Sequence, residues 1–338
     1  LADTAGSTHS NRKSARRRRV VSAVADLRVP HNFRMLTVRG IYLRLSVATA
    51  ILLAAALVRS GSAVVVTAVA AVGGGVLAEL LVGLTGDTSV RRSGIGTGRV
   101  LYYGFLVTAL APLGISPLVA AAATAAAVLI GLWLPGGPGT YWMHPALVGL
   151  VLVPGLSVVP GEPGGGLDGI AAIVESSQVY RVLDQHIFDP LALSITPEWV
   201  AALSGLGVTP STSATAGLLI PLLLAVMIIV GEDVVPSMLP VVYISTFAVG
   251  VTLLGGEALT AVITGNAPIV AVLALADPGV RPFHRGSIAL FAGAAGILTA
   301  VFTVYGGTDL PAVAGLVVAG AFRPLLDYLW QLRRRRER

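Results

Sequence analysis

One apolar region of this sequence is interrupted by Gly136-Gly137-Pro138-Gly139-Thr140-Tyr141-Trp142-Met143-His144-Pro145-Ala146-Leu147-Val148-Gly149. A second interruption begins at Gly265-Asn266-Ala267-Pro268 and, after an apolar span, ends with Ala276-Asp277-Pro278-Gly279-Val280-Arg281-Pro282. Non-helical backbone at membrane depth occurs only where it is buried in protein or lines a cavity. A pair of segments interrupted by glycine and proline, in corresponding halves of a chain, points to a central binding site. The two segments therefore predict broken membrane helices and a site between the halves.

The composition around these segments is that of an integral membrane protein. The 338 residues are 55% hydrophobic and only 12% charged, whereas a soluble domain has about 25% charged residues. The 40 glycines suit helices that pack closely in lipid. The absence of cysteine excludes disulfides, thiolate metal sites and cysteine nucleophiles. Basic residues lie largely in terminal runs and loops, so membrane topology explains them better than nucleic-acid binding does.

Hydropathy predicts an all-α fold whose spans each approach the roughly 20 residues that cross a bilayer. Ten spans are expected, at 41–58, 63–84, 100–115, 117–134, 144–160, 215–231, 234–254, 258–276, 287–305 and 310–330. Basic clusters precede the first span and follow the last, so both termini are expected in the cytoplasm and the protein in the plasma membrane. The basic run Arg16–Arg19 is not followed by an apolar core, so no cleavable signal peptide is expected.

These spans and charges divide the chain into five parts. Residues 1–35 form a basic tail that is expected to be disordered and cytoplasmic, and residues 36–160 form a first membrane half of five helices. Residues 161–212 are expected to be an extracytoplasmic loop with a short re-entrant segment, since Arg and Lys are nearly absent there. A second five-helix half occupies 213–331, and 332–338 form a basic cytoplasmic tail.

Four motifs, in order along residues 30–330, resemble one family of membrane proteins. The first segment resembles Gly-Gly-Leu-Gly…Asn-Pro-Ala-Met-Val-Gly, and residues 274–282 resemble Met-Ala-Thr-Asp-Pro-Val-Thr-Ser-Pro. Residues 211–214 resemble Gly-Glu-Thr-Ser-Ala, with Ser211 in place of the glutamate. Residues 305–307 and 323–327 resemble Phe-Gly-Gly and Val-Pro-Leu-Ile-Asp. By this resemblance the chain is similar to NqrB of the sodium-pumping NADH:quinone reductase and to RnfD of the Rnf electron-transport complex. It is closer to the RnfD branch because it is short.

The resemblance implies ten helices in two inverted five-helix repeats with broken helices. It also implies FMN, attached through its phosphate to a threonine. The protein would pass electrons within a larger membrane complex whose chemistry drives Na⁺ or H⁺ translocation, and it would have no complete active site of its own. Its partners would be the other subunits of that complex and lipid, without nucleic acid.

Two positions resemble the family's flavin acceptor, which lies in Ser-Gly-Ala-Thr-Pro between the first segment and residues 211–214. Thr196 keeps the following proline, Pro197, but the preceding Leu193-Ser194-Ile195 does not match Ser-Gly-Ala. Thr215 follows alanine, beside Thr212 and Ser213, but it belongs to a different motif by order. The residues are compatible with covalent, noncovalent or absent flavin.

The interrupted segments supply further candidates for cofactor binding. A broken helix exposes N–H groups and the positive end of its dipole, which can hold phosphate or carboxylate. Gly137 and Gly139 in the first segment and Asn266 in the second are candidates for such a cradle. The glycines are equally consistent with a turn between helices.

His144 and Asp277 are the titratable candidates in these segments. His144 replaces the family's asparagine, and it either caps a helix or titrates near neutral pH. Asp277 is either a functional intramembrane acid or a turn starter before Pro278, neutralised by Arg281 or Arg285. Tyr141 is most simply an aromatic at the membrane interface, although stacking on a flavin ring is an alternative.

Glu79 lies within the second span and is a candidate for an ion pathway, or else a snorkelling residue or a helix-to-helix hydrogen-bonding partner. Two other functions also fit the pattern. Inverted repeats with broken helices occur in solute transporters and channels, and the altered attachment motif fits a flavin-less structural subunit of a redox complex. A yellow purified protein would favour the flavin-carrying role, and solute flux by the isolated chain would favour the transporter.

Overall fold

The protein is predominantly helical in the part of the chain that its computed structural model describes. That part comprises residues 37–60, 63–84, 98–112, 115–137, 141, 143–157, 219–231, 234–282, 285–306 and 310–336. No β-strand occurs within these ranges. The all-α membrane fold predicted from hydropathy is therefore confirmed.

The described residues up to Gly231 form six helices. They are α1 (Val38–Ser60), α2 (Ala63–Leu84), α3 (Arg99–Leu110), α4 (Pro117–Ala126, continued by a π-helix at Ala127–Trp133), α5 (Pro145–Ser157) and α6 (Leu219–Gly231). Six more follow: α7 (Met238–Leu253), α8 (Ala258–Thr264), α9 (Ala267–Val272, with a 3₁₀ turn at Ala274–Ala276), α10 (Arg285–Tyr305), α11 (Pro311–Ala321) and α12 (Arg323–Arg336).

Three helical stretches in the described ranges are long and apolar enough to cross a bilayer: Val38–Leu57, Ala63–Leu84 and Gly286–Tyr305. A fourth crossing arises if α11 and the first half of α12, which meet at a bend of 42°, act as one span. Shorter apolar helices lie in most of the other predicted spans, such as Met238–Leu253 in the seventh. The count of ten crossings and the inverted repeat stay predictions.

Glycine brings neighbouring helices into close contact, as expected of helices that pack in lipid. A Cβ atom on Gly74 of α2 would overlap the backbone of Ala121 in α4, and one on Gly149 of α5 would overlap the backbone of Ala123. Only glycine therefore allows these two helix pairs to approach as they do.

Both interrupted segments break their helices. The π-helix at the end of α4 is followed by a turn in which Gly136 and Gly137 have φ of 111° and 93°, a left-handed conformation that glycine adopts without strain. The eighth predicted span is divided at Gly265–Asn266 into α8 and α9, with Pro268 in the first turn of α9, where its missing N–H costs no hydrogen bond.

Candidate functional site

A carboxylate is buried where the two interrupted segments meet. Asp277 follows the 3₁₀ turn after α9, and it is 0% exposed. Its Oδ1 atom accepts hydrogen bonds from the hydroxyls of Tyr42 (3.0 Å) and Tyr141 (2.8 Å) and from the Gly279 N–H (2.8 Å). Its Oδ2 atom accepts one from the hydroxyl of Tyr103 at 3.3 Å. We call Tyr42, Tyr103, Tyr141 and Asp277 the tyrosine–aspartate cluster.

The local sequence explains how each member reaches the cluster. Asp277, Pro278 and Gly279 form a tight turn in which the aspartate side chain bonds the amide two residues later, as Asp-Pro sequences favour. Tyr42 lies in the second turn of α1, and Tyr103 in the second turn of α3. Tyr141 precedes α5. The N-terminal ends of α1, α3 and α5 thus lie close to the carboxylate of Asp277, which follows α9.

The tyrosines also contact one another. The Tyr42 and Tyr141 hydroxyl oxygens are 2.9 Å apart, and those of Tyr103 and Tyr141 are 3.4 Å apart. All three side chains are no more than 2% exposed. A buried tyrosine hydroxyl requires a hydrogen-bonding partner, and here the carboxylate supplies it.

His144 lies beside the cluster. Its backbone carbonyl accepts from the Leu147 and Val148 N–H groups, so the residue occupies the N-cap position of α5. Its side chain is buried, with Nε2 at 3.7 Å from Asp277 Oδ2 and 3.4 Å from the Tyr102 hydroxyl oxygen. The cap and the contact with the carboxylate therefore coexist in one residue.

Three arginines in the described part of the chain lie near the cluster. Arg323, at the start of α12, donates to the backbone carbonyls of Tyr141 (3.2 Å) and Gly279, and so joins the two interrupted segments. The Arg99 guanidinium carbon lies 5.0 Å from the centre of the Tyr42 ring, within the range of a cation–π interaction. Arg281 donates to the Val234 carbonyl at 3.4 Å.

The sequence pattern did not identify most of these groups. Tyr42, Tyr102 and Tyr103 lie in apolar spans. The one feature of the sequence that could have indicated them is that a tyrosine hydroxyl within an apolar helix requires a hydrogen-bonding partner. The interfacial interpretation of Tyr141 was wrong, because the side chain is 2% exposed and bonded to the carboxylate. Arg323 belongs to a motif that resembles the family, but that motif gives no indication of its hydrogen bonds to the two interrupted segments.

One comparison with known proteins decides the family. The sequence model of the NQR2, RnfD, RnfE family matches residues 27–335. The chain belongs to this family. The match contains both interrupted segments and every member of the tyrosine–aspartate cluster. No curated protein matches the chain, and the match does not separate the RnfD branch from the NqrB branch.

The candidate site residues of this NQR2, RnfD, RnfE family member lie in different places. The structure brings His144 and Asp277 together, whereas Gly137 lies in the turn after Trp133 and Asn266 lies, buried, at the break before α9. The other candidates in the two segments and the intervening loop lie outside the described residues: Gly139, Thr196, Thr212, Ser213 and Thr215.

Glu79 occupies a second buried polar region in the same family member. It is 4% exposed on α2, and its polar neighbours are the Trp133 indole and the Arg99 guanidinium. Within the described ranges, Glu79 Oε1 and Arg99 Nη1 have no hydrogen-bonding partner. Arg99 therefore interacts electrostatically with this glutamate and also contacts the Tyr42 ring of the tyrosine–aspartate cluster.

A flavin does not fit inside the tyrosine–aspartate cluster. The side chains are closed around the carboxylate, which is 0% exposed. The N-terminus of α5 would be the natural place for a phosphate, but His144, the residue before α5, already lies beside the Asp277 carboxylate. Two anions at one helix end repel each other. The residues of the tyrosine–aspartate cluster therefore do not fit a flavin.

Proposed function

We propose that this protein is a membrane subunit of an Rnf- or Nqr-type electron-transport complex, that it carries FMN, and that it couples electron transfer to translocation of Na⁺ or H⁺. Membership of the NQR2, RnfD, RnfE family supports the role in such a complex. The buried Asp277 carboxylate is the observation that carries the ion-coupling part. Ionisable residues inside membrane proteins are costly, and they mark ion and proton pathways.

The geometry around Asp277 supports this role. A buried carboxylate is tolerated only if donors replace its water shell, and here three tyrosine hydroxyls and one amide do so. These donors come from α1, α3 and both interrupted segments. A change in the charge of Asp277 therefore acts on several helices at once, as coupling requires.

The flavin part of the proposal concerns residues outside the described ranges. Thr196 and Thr215 are the proposed acceptors for the FMN phosphate, with Thr196 preferred because Pro197 follows it. The rest of the complex would deliver and remove electrons. Both termini are proposed to lie in the cytoplasm, with the chain in the plasma membrane.

Flavin fluorescence tests the proposed attachment. The full chain, expressed together with the attaching enzyme, is expected to be yellow and to show flavin fluorescence in a denaturing gel. Thr196→Ala is expected to abolish that fluorescence, whereas Thr215→Ala and the exposed control Thr252→Ala retain it. A protein that lacks bound flavin under these conditions contradicts covalent attachment.

Ion transport by the reconstituted complex tests the coupling role. Asp277→Asn is expected to abolish ion transport while leaving flavin fluorescence unchanged, because the cluster does not hold the flavin. The matched control is Glu257→Gln, which alters an exposed carboxylate that accepts a hydrogen bond from Thr260. Full transport in Asp277→Asn would rule out a coupling role for this residue.

The helix break at Gly265–Asn266 favours one alternative, a solute transporter, since discontinuous helices form transport sites near the membrane midplane. That alternative predicts solute flux by the isolated chain in liposomes, without flavin. Flux in the absence of partner subunits would support it over the electron-transport role.

A further inference from the structure

Helix α12 has a row of apolar side chains on its exposed side. The row consists of Leu325, Tyr328, Leu329 and Leu332, which are between 37% and 57% exposed. The last three follow the first by three, four and seven residues, so all four lie on one face of the helix. Apolar surface of this kind is favoured against hydrocarbon over water. The other described helices leave this face of α12 uncovered.

A basic run follows the apolar row within the same helix. The last four residues of α12 are Arg333–Arg336. The one acidic residue in the sequence of α12 is Asp327, which is paired with Arg323 at 3.8 Å and so does not compensate the run. Arginine binds phosphate groups through its fork of N–H donors. The far end of α12 is therefore complementary to a phosphate group that lies next to an apolar surface.

The lengths of α11 and α12 place this change from apolar to basic residues near a membrane surface. α11 has 11 residues, so at 1.5 Å per residue it covers about 16 Å, roughly half of a hydrocarbon core. Together with α12 up to Leu329, and allowing for the bend of 42°, it covers about 25–28 Å, which approaches the whole core. Arg333 lies about 6 Å further along the helix, a distance similar to the thickness of the headgroup region.

The beginning of α12 is fixed to the rest of the protein. Arg323 is buried, and it donates to the carbonyls of Tyr141 (3.2 Å) and Gly279, one in each interrupted segment. The fold therefore sets the position of the apolar row relative to the helix bundle. A lipid bound to α12 would contact a helix that is hydrogen-bonded to both interrupted segments.

An anionic phospholipid matches the apolar row and the basic run at once. Basic amphipathic helices at a membrane surface combine these two contacts, with acyl chains on the apolar face and anionic headgroups near the basic residues. Tyr328 agrees with this depth, since tyrosine is enriched where hydrocarbon meets the headgroups. An acidic protein surface would match the arginines alone, whereas Leu325 lies at the depth of the hydrocarbon.

We propose that α12 is a binding site for anionic phospholipid, with acyl chains against the apolar row and the phosphate group at Arg333–Arg336. The proposal depends on the membrane location of the protein and is independent of flavin, electron transfer and ion transport. Because Arg323 connects α12 to both interrupted segments, lipid bound in the folded state also stabilises the fold against unfolding.

Native mass spectrometry of the full chain tests the lipid preference, with phosphatidylglycerol and phosphatidylcholine titrated separately in detergent. Each arginine near a membrane surface favours an anionic lipid by about fivefold. Phosphatidylglycerol is therefore expected to bind at least about tenfold more tightly than phosphatidylcholine, and the difference should shrink as salt is added. Equal affinities for the two lipids would overturn the proposal and would favour an acidic partner subunit at Arg333–Arg336.

The chain offers a matched pair of arginine runs for this experiment. Replacing Arg333–Arg336 together with Gln is expected to remove the preference for phosphatidylglycerol. Replacing Arg16–Arg19 together with Gln removes the same charge from another part of the chain, and it is expected to retain the preference. Equal losses in the two variants would show an effect of net charge rather than a site on α12, and would overturn the proposal.

Thermal unfolding tests the apolar row, with each variant compared with itself in the absence of phosphatidylglycerol. The lipid is expected to raise the unfolding temperature of the unchanged chain, and to raise it less in Leu329→Gln. Leu259→Gln alters an exposed leucine of α8 and should keep the full rise. Equal rises in both variants would contradict contact between the lipid and the apolar row.

Glycerol phosphate, which has the phosphate group without acyl chains, distinguishes a lipid site from a site for free phosphate. At the same concentration it is expected to leave the unfolding temperature unchanged. A rise equal to that with phosphatidylglycerol would show that phosphate alone is recognised, and it would overturn the proposal of a lipid site.

Discussion

At the scale of single residues, Asp277 is stable in its position because hydroxyl donors replace water around it. The shortest contact from a hydroxyl is that of Tyr141, at 2.8 Å from Oδ1. A hydrogen bond to a charged group contributes about 1.5–3 kcal/mol, about twice as much as one between neutral groups. The free energy of unfolding should therefore depend on the tyrosine hydroxyls that face the carboxylate more than on those that face neutral partners.

We expect Tyr141→Phe to lower the free energy of unfolding by about 1.5–3 kcal/mol, since it leaves a buried carboxylate with one donor fewer. The matched control is Tyr243→Phe, whose hydroxyl bonds the neutral Thr299 at 2.8 Å, and it should cost about 1 kcal/mol or less. Reversible denaturation in detergent measures both. A larger loss in Tyr243→Phe than in Tyr141→Phe would contradict a charged, hydroxyl-stabilised Asp277.

At the scale of helices, close packing depends on glycine at particular positions. Gly73 and Gly74 are adjacent in α2, but they face different surroundings. A Cβ atom on Gly74 would overlap the Ala121 backbone of α4, whereas one on Gly73 would meet nothing within 4 Å. Two neighbouring glycines thus provide a matched pair for the contact between α2 and α4.

We expect Gly74→Ala to destabilise the protein by about 1–3 kcal/mol, because α2 and α4 must separate to admit the methyl group. Gly73→Ala should be neutral or stabilising, because alanine is favoured over glycine within a helix by about 1 kcal/mol. Thermal unfolding of the two variants in the same detergent gives the comparison. Equal losses of stability would show that the two helices do not pack through Gly74.

At the scale of the whole molecule, the number of crossings is the main property of the fold that the described helices do not determine. Three of them meet the length and apolarity needed to cross a bilayer. The distribution of basic residues predicts an even number of crossings, with both termini in the cytoplasm.

Labelling of single cysteines tests this topology, and the chain suits it because it has no cysteine of its own. Cysteines introduced at Ser14 and Glu337 should react from the cytoplasmic side only, and one at Gly165 should react from the outside. Reaction of the two terminal positions from opposite sides would require an odd number of crossings, and it would contradict the ten-span prediction.

Much of the helical framework could be predicted because hydropathy is a local property. The predicted spans 63–84 and 234–254 coincide closely with α2 and α7. The two interruptions were also predictable, since Gly136–Gly137 and Gly265–Asn266 disfavour a continuous helix wherever they occur. The sequence pattern also indicated His144 and Asp277 as candidates, because an ionisable side chain within a membrane-spanning region is costly and is usually functional.

The partners of those candidates could not be predicted in the same way. Tyr141 and Asp277 are 136 positions apart, and Tyr42 and Asp277 are 235 apart. No local property of the sequence relates them. The hydrogen bond from Arg323 to the Tyr141 carbonyl likewise depends on where α12 begins relative to the two interrupted segments.

The sequence by itself determined that this protein is a bundle of apolar helices with two interrupted segments, because apolar length and backbone preferences act within a few turns of chain. Only the tertiary structure decided that both interruptions meet at one carboxylate, enclosed by Tyr42, Tyr103 and Tyr141 and accompanied by His144. That arrangement arises from the packing of helices against one another, and contacts between distant parts of the chain exist only once the helices have assembled.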